Sequence, residues 1–316
     1  MHLTVLMSVL NGEKFLDEAV QSILNQTHDD FEFLIIDNGS VDGTSEILKN
    51  YAATDNRIRI ITNAQTVTLY EAREQGMRQV SSEWVALMDA DDYAYPTRLE
   101  RQLELLSSEG STIGALGTYA YYMSDQGDLI GSMKTGPTNS AEFNQAMATN
   151  ESMVIIDPST IIHRQTFFDV GGYRAEYSPA GDLDLWYRIG ESGREIRAIP
   201  EHLMRYRVHG GAESVAKTMI QRTKTHFINH NMRRRRQGLS ERTYKEFQTW
   251  TRHRPLKRLR WYISDLGMTY YKRAGLAYSL TQPVRFLMYL VVGLALKPSF
   301  LWKRLIPQIK HRLHRG

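Results

Sequence analysis

The chain has 316 residues, 42% of them hydrophobic, with 39 Lys+Arg against 35 Asp+Glu and no cysteine. That length carries one large domain or a domain with an appendage, and the apolar content suffices for a substantial core. The lack of cysteine excludes thiol catalysis, disulfides and cysteine-ligated zinc, and it fits a cytosolic location.

Met1 leads directly into LTVLMSV (3–9), a buried strand, without the basic n-region or cleavage site of a signal peptide. GEKFLDEAVQSILNQ (12–26) reads as an amphipathic helix with Phe15, Ala19, Ile23 and Leu24 inward. FEFLIID (31–37) is a second buried strand, NGSVDGT (38–44) is turn chemistry, and SEILKNYA opens another helix. RIRIIT (57–62), LYEAREQGMRQV (69–80) and WVALM (84–88) continue as strand, helix and strand. Alternation of this kind predicts an α/β fold with a mostly parallel sheet covered on both faces. Ligands of such sheets bind beyond the carboxyl ends of the strands, where Asn11, Asp37 and Asp89–Asp92 fall.

MDADDYAYP (88–96) places three carboxylates in four positions directly after an apolar strand. Asp89, Asp91 and Asp92 repel one another, and burial makes the repulsion worse. A solvated acidic turn is the plain alternative, and Thr97 and Glu100 have the spacing of a capping box. Capping leaves the three aspartates unexplained, whereas a divalent cation held by carboxylate oxygens explains them.

From about residue 111 the elements are less regular. GALGTYAYYM (114–123) is a strand, SDQGD a turn, 140–149 a helix, and GDLDLWYRIGESG (181–193) a helix ending at Gly193. REIRAI (194–199) and LMRYRVH (203–209) are predicted as two further strands. On the latter, Arg205, Arg207 and His209 project from one face, with Met204, Tyr206 and Val208 toward the core. The plain alternative is an edge strand with a solvated basic face.

Charge divides the chain. Residues 1–216 hold 16 Lys+Arg against 32 Asp+Glu, and residues 217–316 hold 23 against 3. An acidic globular part is thus joined to a basic, helical segment that meets something anionic, either a membrane surface or nucleic acid. RRRR (233–236) and RHRPLKRLRWY would suit nucleic acid. The apolar run Phe286–Leu296, too short to span a bilayer and flanked by Arg285, Lys297, Lys303, Arg304, Lys310, Arg312 and Arg315, with Phe300 and Trp302 nearby, favours lipid instead. No nucleic-acid partner is expected.

VLMSVLNGEKFLDEAVQSILNQT, FEFLIIDNGSVDGT, WVALMDADDYAYPTRLERQ, GGYRAEY with GDLDLWYRI, and YRVHGGAES occur in that order. Together they resemble glycosyltransferase family 2, with its GT-A nucleotide-sugar-binding fold, over residues 3–215. The resemblance implies a GT-A (Rossmann-like) mostly parallel sheet flanked by helices, with a basic helical C-terminal extension. Residues 1–110 would form the nucleotide-sugar-binding half, 111–216 the acceptor-binding half and 217–316 the extension.

It further implies inverting transfer from a nucleotide sugar, most often a UDP-sugar, to a glycan or lipid-linked acceptor, with Mn²⁺ or Mg²⁺ as cofactor. Asp91 would be the direct metal ligand, with Asp89 on the ribose or the metal's water, Asp92 supporting, and His209 completing the shell. Asn11, Glu13, Asp37, Arg73, Asp89 and Arg207 would contact the donor. Asp182 would take the acceptor's proton, Trp186 would stack on its sugar or sit in the core, and the peripheral membrane location would be the cytoplasmic face. Plain alternatives are an Asx-turn for Asp37, a surface position for Arg73, and helix-dipole roles for Asp182 and Asp184.

Ser8, Leu10, Asn38 and Gly181 depart from the family pattern, which has Pro, an aromatic residue, Asp and Glu there. A nucleotidyltransferase acting on sugar phosphates is the competing enzyme class. It would want a glycine-rich basic loop after the first strand, which VLNGEK resembles poorly.

Overall fold

The computed structural model describes residues 1–151, 153–209 and 218–298. It divides into two units, one formed by residues 1–123 with 129–207, the other by 124–128 with the described part of 208–316. The predicted GGAES stretch, and Phe300, Trp302, Lys303, Arg304, Lys310, Arg312 and Arg315, lie outside the described residues.

In the first unit, β1 (Leu3–Val9), β2 (Phe31–Asp37), β3 (Ile58–Thr62) and β4 (Trp84–Asp89) are parallel neighbours in the order β3-β2-β1-β4. Parallel neighbours need crossovers, supplied by α1 (Leu16–Leu24), α2 (Thr44–Thr54) and α3 (Leu69–Gln79). Covered on both faces, β1, β2 and β4 can be nearly continuous apolar runs. Gly76 lets α3 lie close on β1, since a Cβ there would come within 2.3 Å of a Leu6 methyl. The helix predicted from residue 12 begins only at Leu16, because the Phe15 and Leu16 amides both turn back to the Gly12 carbonyl. Leu16 and Val20 join Ala19 and Ile23 in the core, while Phe15 and Leu24 are only partly buried.

The chain continues through β5 (Tyr93–Ala94), α4 (Arg98–Glu109), β6 (Ile113–Met123), β7 (Leu129–Met133), α5 (Ser140–Thr149), β8 (Ile161–His163), α6 (Arg164–Asp169), α7 (Gly181–Glu191) and β9 (Glu195–Arg207). β8 pairs antiparallel with both β4 and β6, β9 runs parallel to β6, and β5 runs antiparallel to β9. The halves predicted to meet at residue 110 therefore share one sheet, ordered β3-β2-β1-β4-β8-β6-β9-β5 with β7 on β6. This is the α/β, mostly parallel, helix-flanked architecture expected.

Two local expectations are corrected. The strands read at 194–199 and 203–209 are one strand, β9, whose register with β6 jumps from Thr118–Ile199 to Tyr119–His202. Pro200 and Glu201 fall in the jump, where a residue without an N–H is tolerated. Thr97 does precede α4, but its side chain makes no cap, and Glu100 instead accepts from the Thr27 hydroxyl at 2.8 Å. Capping boxes form at Thr68–Glu71 and Thr243–Glu246.

The second unit is helical: α8 (Thr218–Arg236), α9 (Tyr244–Arg252), α10 (Pro255–Ser279) and α11 (Pro283–Leu296). α10 and α11 form an antiparallel hairpin that closes tightly at Gly293, where a Cβ would meet the Gly267 carbonyl oxygen at 3.2 Å. Among the described residues no helix is long and apolar enough to cross a membrane.

Candidate active site

Register brings the strand ends to one level. Ser8 of β1 pairs with Asp89 of β4, and Val9 pairs with Asp37 of β2. Beyond this edge, Asn11 adopts a positive φ of 52° and accepts the Val41 amide on Oδ1 at 2.9 Å, while Glu13 accepts the Gly43 amide at 3.0 Å. Asp37, buried, accepts the Ser40 amide on Oδ1 at 3.0 Å and the Ser45 hydroxyl on Oδ2 at 2.5 Å. Asn38, where the family pattern has Asp, uses its amide group to hold Val67 and Asn63. Asn11, Glu13 and Asp37 thus all engage the loop 40–45.

Asp89, Asp91 and Asp92 bring carboxylate oxygens within 4.8 Å of one another. Asp92 is buried; its Oδ1 accepts the Arg207 amide at 2.8 Å and its Oδ2 has no protein hydrogen-bond partner. Burial, with Asp91 and Asp89 adding, pushes its carboxyl well above the usual range. Burial also pushes Asp89 up, to about 6, with Arg73 opposing and the charges of Asp91 and Asp157 assisting. An orphaned buried carboxylate oxygen within a crowded acidic trio fits a divalent cation, whose charge would relieve both defects.

Three arginines frame the trio. Arg207, placed by β9, donates from Nε to the Asp91 carbonyl at 2.7 Å, pairs with Glu18 and lies over the Phe15 ring. Arg98, fully buried and invisible to the sequence reading, donates to the Leu87 carbonyl at 2.9 Å. Burial lowers its pKa to about 10, with Asp92 and Asp89 resisting. Arg73, which the sequence left open as a surface residue, is 1% exposed and bridges Asp89 at 2.6 Å to Asp157.

A second buried network joins this one. The Tyr70 hydroxyl lies 3.2 Å from Asp182 Oδ1 and 3.4 Å from the Asp182 amide, and the Tyr70 ring packs on Tyr173 with centroids 4.8 Å apart. Burial raises the Asp182 carboxyl, against bonds from the Leu183 amide and Tyr70 and the charge of Arg73. Burial raises Asp157 too, with Arg73 opposing and Asp182 adding. Asp157 Oδ1 and the Tyr173 hydroxyl have no protein hydrogen-bond partner. A carboxylate held at a raised pKa in the first turn of α7 is a stronger proton acceptor than an ordinary aspartate. The sequence reading missed Tyr70 and Asp157, which lie in stretches without motif character, and gave no role to Tyr173 within GGYRAEY.

Other residues take structural places. Asp184 is buried between Arg174, at 2.5 Å, and Arg188, at 2.9 Å, so GGYR clamps α7. Trp186 is fully buried, a core position, and its Nε1 lacks a protein partner. Arg205 bonds the Tyr95 hydroxyl at 3.0 Å and stacks over Tyr93 and Tyr95. His209 lies two residues past the end of β9, in the second unit.

A sheet of this order, flanked by helices and with carboxylates gathered at the strand ends, is an α/β architecture of the GT-A kind. The chain belongs to glycosyltransferase family 2: the model of that family, Glycosyl transferase family 2, matches residues 4–170. An uncharacterized glycosyltransferase of Haemophilus influenzae is 30% identical over 220 residues, 67% of this chain and 67% of its own length. The O-antigen biosynthesis glycosyltransferase WbnJ of Escherichia coli is 29% identical over 211 residues, covering 66% of this chain and 80% of its own length. The mannosyltransferase PcManGT of Pyrobaculum calidifontis, solved with GDP-Man and Mn²⁺, superposes with a TM-score of 0.58 at 17% identity, over 96% of this chain and 87% of its own. Staphylococcus aureus TarS 1–349 with UDP-GlcNAc gives 0.57 at 14% identity, over 92% and 89%. Both likenesses concern the fold.

Proposed function

We propose that this protein transfers a sugar, with inversion, from a nucleotide sugar to a hydroxyl of a glycan or lipid-linked acceptor in cell-surface polysaccharide biosynthesis. The observation that carries this reading is the Asp89–Asp91–Asp92 trio at the end of β4. Asp91 and Asp89 would hold Mn²⁺ or Mg²⁺, which when bound stabilises the charge left on the departing nucleoside diphosphate. Arg73 fixes the Asp89 carboxylate, and Arg207 fixes the backbone of Asp91 and the carboxylate of Asp92. Asn11, Glu13 and Asp37 shape the loop that receives the nucleotide. Asp182, oriented by Tyr70, takes the acceptor's proton as its oxygen attacks the anomeric carbon. Relatives and neighbours support the reading: WbnJ acts in O-antigen biosynthesis, and PcManGT and TarS were solved with nucleotide sugars.

The test is release of nucleoside diphosphate across a panel of nucleotide sugars, with Mn²⁺, Mg²⁺ or EDTA. One donor should turn over with metal, and Asp91→Ala should abolish turnover while the fold survives. Full turnover in EDTA would overturn the metal-dependent reading.

The second unit supports a peripheral location on an anionic membrane surface, at the cytoplasmic face. Val284, Leu287, Met288 and Val291 are all exposed and follow the i, i+3, i+4, i+7 spacing of one helix face of α11. Leu256, Leu259 and Ile263 take the i, i+3 and i+7 positions of one face on α10, with the exposed cations Arg254, Arg258 and Arg260 close by in sequence. Apolar stripes bordered by cations match an anionic lipid interface.

A further inference from the structure

A shallow open cleft of about 90 Å³ lies within the second unit, lined by His226, Asn229, His230 and Arg233 of α8 and by Lys257 and Trp261 of α10. Among the described residues no carboxylate lines it. Among the described residues from 218 onward, Asp265 is committed to Arg222 and His226, Glu241 to Arg235, and Glu246 to the capping box of α9. The sequence singled out RRRR (233–236) as a basic run, and the sugar-transfer chemistry leaves it without a role.

The cleft walls are held in place. His226 stacks on Trp261 with centroids 4.2 Å apart and an interplanar angle of 7°, and Asp265 holds its Nε2 at 2.9 Å. Arg242 donates to His230 Nε2 at 2.9 Å; because a guanidinium can only donate, Nε2 is the acceptor and the ring proton sits on Nδ1. Lys257 lies over the rings of Trp250 and Trp261, which pin its ammonium beside the cleft. Burial and then the cations Arg242, Arg234, Lys257 and Arg233 depress His230 to about 4, and Lys257 is depressed by burial, Arg233 and Arg254. These positive groups crowd together, with Glu246 acting on Arg242 and Arg234 and Asp265 on His226.

We propose that this cleft binds the phosphoryl group of a soluble phosphate or diphosphate ester. Guanidinium, ammonium and imidazole N–H donors arriving from two helices suit an anion that accepts from several directions, as a tetrahedral phosphoryl group does and a planar carboxylate does not. The source is soluble rather than a lipid headgroup. At about 100° per residue, Lys257 and Trp261 lie on the side of α10 opposite Leu256, Leu259 and Ile263, so a membrane reached by that stripe faces away from the cleft.

The test is calorimetric titration of the full chain with sodium pyrophosphate at low salt and with EDTA, to keep metal-dependent donor binding out of the signal. One site should be seen. Arg233→Ala with Lys257→Ala should weaken it by about tenfold or more. Arg258→Ala with Arg260→Ala, which removes two exposed cations of α10 outside the cleft, should leave it unchanged. Equal loss from both pairs, no binding of pyrophosphate, or phosphoryl binding seen only with phosphatidic acid vesicles would each overturn the proposal. Failure of sugar transfer would leave this result standing, because no active-site residue takes part in it.

Discussion

The ring of Tyr70 lies flat in the space that a side chain at residue 181 would need. A Cβ on Gly181 would meet three of its carbons at 3.0–3.2 Å, and the Tyr70 hydroxyl reaches the neighbouring Asp182 carboxylate at 3.2 Å. The family pattern has Glu where this chain has Gly181, so Tyr70 replaces it in volume and as the group beside the proposed base. Tyr70→Phe should lower kcat by about tenfold, as expected for loss of a hydrogen bond to a charged group, with little change in donor affinity. The hydroxyl pulls the raised Asp182 carboxyl down. Its loss should therefore raise the base's pKa further and move the acid limb of the pH–rate profile to higher pH. An unmoved acid limb would remove Tyr70 from the positioning role.

Restoring the family's residue should be harmful here. Gly181→Glu must displace the Tyr70 ring, and overpacking of this kind destabilises by roughly 1–3 kcal/mol. Urea unfolding of Gly181→Glu, of Tyr70→Ala and of the double variant should show strong non-additivity, with the double variant more stable than the sum of the single effects. Simple additivity would mean that the two positions do not share the space.

The family motifs were legible because their apolar strands and turn residues mark the elements directly. WVALMDADD ends a buried strand on acids, and the chain folds accordingly. The supporting charges were not legible, since a helix carries Arg73 or Arg98 with the same spacing whether it faces solvent or the core. Only the packing of α3 and α4 shows both guanidiniums buried. Glu100 shows the limit of local spacing: it has capping-box spacing with Thr97, yet no such box forms, and its carboxylate accepts from Thr27, far away in sequence. β5 was missed because Tyr93–Ala94 is too short for any periodicity, and only β9 gives it a partner.

Arg73 bridges two carboxylates from a position only 1% exposed. Arg73→Met should strand Asp89 and Asp157 without a counter-charge, a change that typically destabilises by about 3–5 kcal/mol. Arg73→Lys should recover only part of this, because an ammonium cannot fork between two partners as a guanidinium does. Denaturant midpoints of the three proteins, in EDTA, provide the check. If Arg73→Met unfolds at the same midpoint as the parent, the bridge contributes nothing to stability.

His230 supplies a pH dependence of the second unit. Its pKa in the folded chain, depressed by burial and by Arg242, Arg234, Lys257 and Arg233, is about 4, against 6.5 ordinarily. Between those values the unfolded chain binds more protons than the folded one, so stability rises with pH across that window. Acidification from pH 7 should therefore lower stability progressively down to about pH 4. His230→Gln should flatten the slope between pH 4 and 6.5. A ring titration near 6.5 by NMR in the folded chain would contradict the crowded-cation account.

The membrane reading rests on two exposed stripes of the α10–α11 hairpin, and it can be separated from a simple packing role. Val284 is 81% exposed and Leu256 is 77% exposed, values foreign to a buried helix pair. Were the hairpin only a packing element, its closure at Gly267 and Gly293 would be enough, and the outer stripes would have no reason to be apolar. Replacing Val284, Leu287, Met288 and Val291 together by Ser leaves every basic residue in place. It should abolish sedimentation with vesicles of mixed phosphatidylglycerol and phosphatidylcholine while preserving helix content. Reversing the charge at Arg258 and Arg260 to Glu should weaken sedimentation on anionic vesicles, at about 1 kcal/mol for each basic residue lost near the surface, with a larger effect at low salt. The two sets of changes probe insertion and attraction separately. If the quadruple variant sediments as the parent does, the stripe is not the membrane contact; if the parent ignores anionic vesicles at low salt, the peripheral location is wrong.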